Sequence, residues 1–211
     1  MRGPRLSRMR NVFAFPTLFA LACLSLTGAP TALAAEAEPA AVPPSANEPE
    51  TDAARLDRLF SELKREHNER AAERIAKRIW DAWYKSGSAS IDLMMQWSNE
   101  AVTKQKFDVA LDFLDQVITL QPDYAEGWNR RATVHFLMKH YGKSMADIEH
   151  TLELEPRHFG ALSGMAQIMK DTGRKELAMR AWERVLEIYP MMREAQNEYS
   201  SLSEDLAGEG I

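Results

Sequence analysis

The chain has 211 residues, 26 Lys and Arg against 31 Asp and Glu, a formal charge of −5 and one cysteine. Hydrophobic residues make up 45 % of it, enough for a packed core. A single cysteine excludes an internal disulfide, and an acidic balance weighs against nucleic acid as a partner.

Residues 1–34 have the layout of a secretory signal peptide. Arg2, Arg5, Arg8 and Arg10 come without an acidic neighbour, an apolar run extends from Val12 to Leu26, and small residues lead to Ala32-Leu33-Ala34. Pro16 interrupts the run, which falls short of the roughly 20 apolar residues of a membrane span. Cleavage after Ala34 is expected, with an uncleaved anchor as the alternative, and no membrane span remains once the segment is removed. Cys23 lies inside the apolar run, and Ala20 stands where a lipoprotein box usually has leucine, so Cys23 is read as discarded with the signal rather than lipidated. Losing the four arginines leaves 22 basic residues against 31 acidic ones, a net charge near −9.

Residues 35–52, "AEAEPAAVPPSANEPETD", contain four prolines and almost no bulky apolar side chain. Such a segment buries too little surface to offset its ordering entropy, so a disordered linker is expected. From residue 53 onward, aromatic and aliphatic residues recur at helical spacing. Proline appears only three more times, at Pro122, Pro156 and Pro190, each 34 residues after the last and each ending an apolar run: "VITLQP", "TLELEP" and "VLEIYP".

With each proline as position 32, the remaining positions align. Met94, Trp128 and Leu162 fall at position 4; Trp97, Arg131 and Met165 at 7; Ser98, Ala132 and Ala166 at 8; Ala101, His135 and Met169 at 11. These spacings define one face of a first helix. In a second helix, Ala110, Ser144 and Ala178 occupy position 20, where only a small side chain fits between approaching helices. Leu114, Ile148 and Trp182 follow at 24, and Val117, Thr151 and Val185 at 27.

A 34-residue helix-turn-helix unit in this register resembles the tetratricopeptide repeat family across residues 91–190. The resemblance implies an all-α repeat solenoid wound as a right-handed superhelix, with repeats at 91–124, 125–158 and 159–192. Residues 53–90 read as a degenerate repeat or N-terminal cap, with Thr51 or Asp52 as N-cap and Gly87 as the helix stop. Residues 193–211 read as a capping helix and tail.

Little in the sequence points to catalysis. There is no glycine-rich phosphate loop, no G-x-S-x-G and no H-E-x-x-H, and His135 and His140 are spaced wrongly for two ligands on one helical face. No enzyme, cofactor or metal is expected, and each histidine reads as structural or solvated.

The resemblance places partner contacts on the concave surface lined by the first helices. The candidates are Asn99, Asn129, Arg130, Thr133, Phe136, Gln167 and Lys170, a lining suited to an extended peptide or a partner helix. Of the side chains that clamp chaperone carboxylates in this family, only Asn99 is matched, which argues against a clamp of that kind. Arg131 instead faces the second helix of its own repeat, the only repeat with an acid at position 23, Asp147. Arg131 is therefore expected to pair with Asp147, a structural role, its aliphatic stem filling an apolar slot.

The sequence thus suggests a non-catalytic periplasmic adaptor similar to exported tetratricopeptide proteins of Gram-negative bacteria, gripping a peptide or helix of an envelope protein. Roles in envelope assembly, secretion or solute uptake are common among such proteins. A self-associating structural protein, driven by an apolar patch at Met191, Met192 and the last helix, is the alternative. An accessory subunit of an envelope enzyme or transporter also remains open, as do the partner's identity and the oligomeric state.

Overall fold

The computed structural model describes residues 50–208. The signal segment and nearly all of the linker lie outside the described residues. Among the described residues there are nine α-helices and no strand: α1 Asp52–Arg65, α2 Glu69–Trp83, α3 Ala89–Thr103, α4 Phe107–Leu120, α5 Ala125–Leu137, α6 Tyr141–Leu154, α7 Phe159–Asp171, α8 Lys175–Ile188 and α9 Arg193–Gly208. The first helix starts at Asp52 rather than after it. Thr51 is its N-cap, its hydroxyl accepting the Ala54 N–H at 3.2 Å.

Helices α3–α8 form three hairpins whose local geometry repeats every 34 residues. The turn within each hairpin passes through the left-handed region at Gln105 (φ 56°), Lys139 (φ 60°) and Gly173 (φ 75°). The next N–H in each case returns to the carbonyl five residues back, from Lys106 to Ala101, His140 to His135 and Arg174 to Met169, all at 2.8 Å. This is a Schellman-type stop, which satisfies carbonyls left over at the helix end. Only the third hairpin supplies the glycine that adopts this conformation freely; Gln105 and Lys139 each carry about 1 kcal/mol of strain.

Ala110, Ser144 and Ala178 are buried where the two helices of each hairpin approach, and the Ser144 hydroxyl donates to the Ala132 carbonyl at 2.8 Å. Packing continues from hairpin to hairpin through α4 with α5, α6 with α7, and α8 with the capping helix α9. The core of the first repeat, around Ile91, Met95, Leu114, Val117 and Tyr124, reaches Val134 of the second.

The segment 53–90 forms the expected helix pair but does not pack on the first repeat. Helices α1 and α2 do not contribute to the core of α3 and α4; Leu59, Phe60, Leu63, Ala72, Ala76, Ile79 and Trp83 instead share a core with α7, α8 and α9. Helix α2 runs across the starts of the first helices in reverse order. Glu69 pairs with Arg193 at the start of α9, Trp80 and Trp83 pack on His158 and Phe159 at the start of α7, and Tyr84 lies over Arg130 of α5. Gly160 makes this crossing possible, because a Cβ there would sit 2.5 Å from the Trp80 ring. Arg157 adds a second tie, pairing with Asp57 at 2.6 Å and covering the Phe60 ring at 4.2 Å.

Met191 and Met192, on whose exposure the self-associating alternative depends, are partly buried against the α7–α9 core. Trp97, placed by periodicity on the packed face of its hairpin, is 43 % exposed, because no preceding helix pair covers it.

Candidate functional site

The concave side of the hairpin array is lined by α3, α5 and α7, and it carries a cleft on each side of α5. Between α3 and α5 lies a hollow of about 200 Å³, bordered by Asn99, Val102, Thr103, Arg130 and Thr133. Between α5 and α7 lies one of about 120 Å³, bordered by Thr133, Phe136, Ile148, Gly160 and Gly164. Thr133 is exposed and borders both, so the two clefts form one track across α5. The first cleft mixes Val102, Leu114 and Val134 with Asn99, Thr103 and the Glu126-paired Arg130; glycines open the second beside the Phe136 ring, which is tilted against Tyr141 at 5.8 Å.

At the end of this track covered by α2 sits a buried polar network centred on Glu126. Its carboxylate is almost fully buried and accepts from Asn129 Nδ2 at 2.9 Å, Arg130 Nε at 2.7 Å and His158 Nε2 at 3.1 Å. His158 Nδ1 accepts the Ala161 N–H at 3.1 Å, which leaves Nε2 as the protonated nitrogen facing Glu126. The imidazole stacks on Trp83 at 4.0 Å and 8° and meets the edge of Trp80. Both ring nitrogens are therefore engaged within the protein, and this Glu–His pair has no face toward a substrate.

Arg130 extends the network into the first cleft, where its Nη1 donates to Asn99 Oδ1 at 3.1 Å. Burial works most strongly against its charge, but the Glu126 carboxylate together with the nearby Tyr84 and Tyr124 holds the guanidinium above its ordinary pKa. Asn129, expected at a partner contact, is buried with its amide directed to Glu126, so its role here is internal. Further along the track, Gln167 donates to Asp171 at 2.7 Å and Lys170 pairs with Glu198 of α9 at 2.6 Å. Asn99, Arg130, Thr133 and Phe136 thus come together around α5, while Gln167 and Lys170 lie toward the capped end.

Arg131 points away from the track. It grips Asp147 with two hydrogen bonds, Nε to Oδ2 at 2.9 Å and Nη2 to Oδ1 at 2.6 Å, and reaches Asp115 of the preceding repeat with Nη1 at 2.8 Å. The bond to Asp147 is the main reason its pKa lies above the ordinary value. The adjacent arginines of the second repeat therefore serve different faces, as expected from a step of about 100° per helical residue.

Glu126 and His158 are the members of the site that sequence reasoning passed over. Glu126 occupies a groove position and His158 precedes α7, but nothing in the helical period links residues 32 apart. Their contact depends on how the hairpin begun by α7, whose N-cap is His158, is set onto α5, and Trp83 of α2 stacks on that imidazole.

A scan of the sequence against protein-family models finds no match. A tetratricopeptide repeat-containing protein of Rhizobium etli is 56 % identical over 154 residues, which cover 73 % of this chain and 76 % of that one. Among solved structures, the first such domain of Spaghetti (RPAP3), bound to the HSP90 peptide SRMEEVD, is similar with a TM-score of 0.53 and 25 % identity, over 56 % of this chain and 93 % of that one. The Sgt2 tetratricopeptide domain from Aspergillus fumigatus has a TM-score of 0.54 at 16 % identity, over 58 % of this chain and 83 % of that one, a likeness of fold alone.

Proposed function

The chain belongs to the tetratricopeptide repeat family, and from that premise we propose that it is a non-catalytic adaptor gripping an extended segment of another protein along its concave track. The observation that carries this reading is the pair of clefts meeting at Thr133, one of mixed lining with Asn99 and Arg130 at its edge, the other apolar beside Phe136. An extended peptide places alternate side chains on one face, so a polar and an apolar side chain of a bound strand can enter neighbouring clefts. The Spaghetti domain holding a peptide supports a binding role for the fold. Asn99, Arg130, Thr133 and Phe136 are the proposed contacts, with Gln167 and Lys170 continuing the track.

The signal-like layout of residues 1–34 supports export, with cleavage after Ala34 and a periplasmic partner in the cell envelope. Assembly, secretion or uptake of envelope components is the setting proposed for that partner. The buried Glu126–His158 pair supports an adaptor over an enzyme, since both of its members are spent on internal bonds.

A photo-crosslinking amino acid at Thr133 in intact cells, with exposed Glu149 of α6 as control, tests the proposal. A protein captured from Thr133 and not from Glu149 is expected. Identical capture from both positions would remove the concave track as the binding surface. Fractionation of the same cells, with N-terminal sequencing of the chain, tests export and the cleavage position.

A further inference from the structure

We propose that the outer face of the first repeat, on α3 and α4, is a docking surface for a second copy of this chain. At its centre Trp97 and Phe113 meet with ring centroids 5.4 Å apart. Leu93 and Val109, one helical turn away from each, are both 42 % exposed. A hollow of about 360 Å³ opens beside the two rings.

The other repeats show what this face is shaped to receive. Counterparts of Leu93 are Gly127 and Ala161: a Cβ at Gly127 would press on Val117 of α4, and Ala161 is buried. The counterpart of Trp97 in the second repeat is Arg131, which reaches back to Asp115 of the preceding hairpin. Phe113 corresponds to Asp147 and Ala181, both buried. Leu93 and Trp97 thus correspond to places on the seam between consecutive helix pairs, whereas Phe113 corresponds to a place packed within its own hairpin. In the first repeat that seam is open, because α1 and α2 are committed to the core of α7–α9.

Among the described residues no other helix pair is left to fill it, since α9 already closes the opposite end. The rim favours a second copy over a partner of one charge sign. Glu100 and Lys104 pair at 3.4 Å while both stay exposed, Lys106 borders the hollow, and Asp108 and Asp112 are exposed along α4. An apolar centre with a rim of both signs is complementary to itself across a two-fold axis. Two helices side by side offer a footprint of roughly 20 by 20 Å, about 800 Å² over both partners and below the range of stable interfaces, which points to a weak, reversible dimer.

Sedimentation of the full chain over a range of micromolar concentrations tests this. A concentration-dependent dimer is expected, and Trp97→Glu should raise its dissociation constant about thirtyfold or more, as for a central aromatic at an interface. Val109→Lys, at a more peripheral and exposed position, should weaken the dimer without lowering the melting temperature, so a folding defect in the tryptophan variant would not obscure the result. Leu177→Glu, at the corresponding exposed position of the third repeat, should leave it intact. A chain that stays monomeric throughout, or a dimer indifferent to both Trp97→Glu and Val109→Lys, overturns the proposal.

Discussion

Replacing Glu126 by alanine tests the centre of the buried network. The carboxylate is almost fully buried and accepts from Asn129, Arg130 and His158. Two of these donors cannot turn to water: the His158 side chain is completely enclosed and Asn129 is buried, whereas Arg130 keeps 28 % of its side chain exposed. A stranded buried donor costs about 1–3 kcal/mol. With two of them stranded and a smaller loss at Arg130, Glu126→Ala should destabilise by about 4 kcal/mol. For a chain of this size that corresponds to a fall of about 8–16 °C in melting temperature. Glu126→Gln preserves the shape but offers an amide N–H₂ where donors already point, so it should lose about half as much. Circular dichroism melts of the three chains, repeated by tryptophan fluorescence because Trp83 stacks on His158, measure the effect. A fall below about 3 °C for Glu126→Ala would refute the assignment of Glu126 as the acceptor holding α2, α5 and α7 together.

Arg131→Ala leaves the buried Asp147 carboxylate without its two-pronged partner and should cost about 3 kcal/mol in urea unfolding; an unchanged midpoint would reduce the pair to a surface contact. Gly160→Ala forces a methyl group against the Trp80 ring and should cost about 1–3 kcal/mol, with faster amide exchange in α1 and α2 than in α3 and α4. Burial pushes the His135 imidazole below its ordinary pKa, with Asp147 only partly offsetting it. The unfolded chain then binds this proton first, so the contribution of neutral His135 is present above pH of about 6.5 and is lost as pH falls below it. Melts of the wild type and His135→Gln across that window should show a shallower loss in the variant, and parallel curves would remove His135 as the source.

Much of the fold follows from local rules that act the same way in every repeat. The 34-residue spacing of Pro122, Pro156 and Pro190, the small residues at Ala110, Ser144 and Ala178, and the i, i+3, i+4 faces fix the helices and their pairing within a hairpin. The bond between Arg131 and Asp147 belongs to the same class, since both residues lie within one hairpin and hairpin geometry determines their approach.

What the sequence could not determine lies between hairpins. The pattern in 53–90 is helical and correctly spaced, yet periodicity states which face of a helix is apolar and not what that face packs against. The tertiary structure decided that α1 and α2 cover the starts of α5, α7 and α9, where Trp80 finds space only because residue 160 has no Cβ. That choice stacked Trp83 on His158 beside Glu126 and left Trp97 at an open seam. Hydrophobic burial is non-directional, so several partners could satisfy the same apolar stripe; shape complementarity and the buried hydrogen bonds select one of them only when the whole chain is assembled.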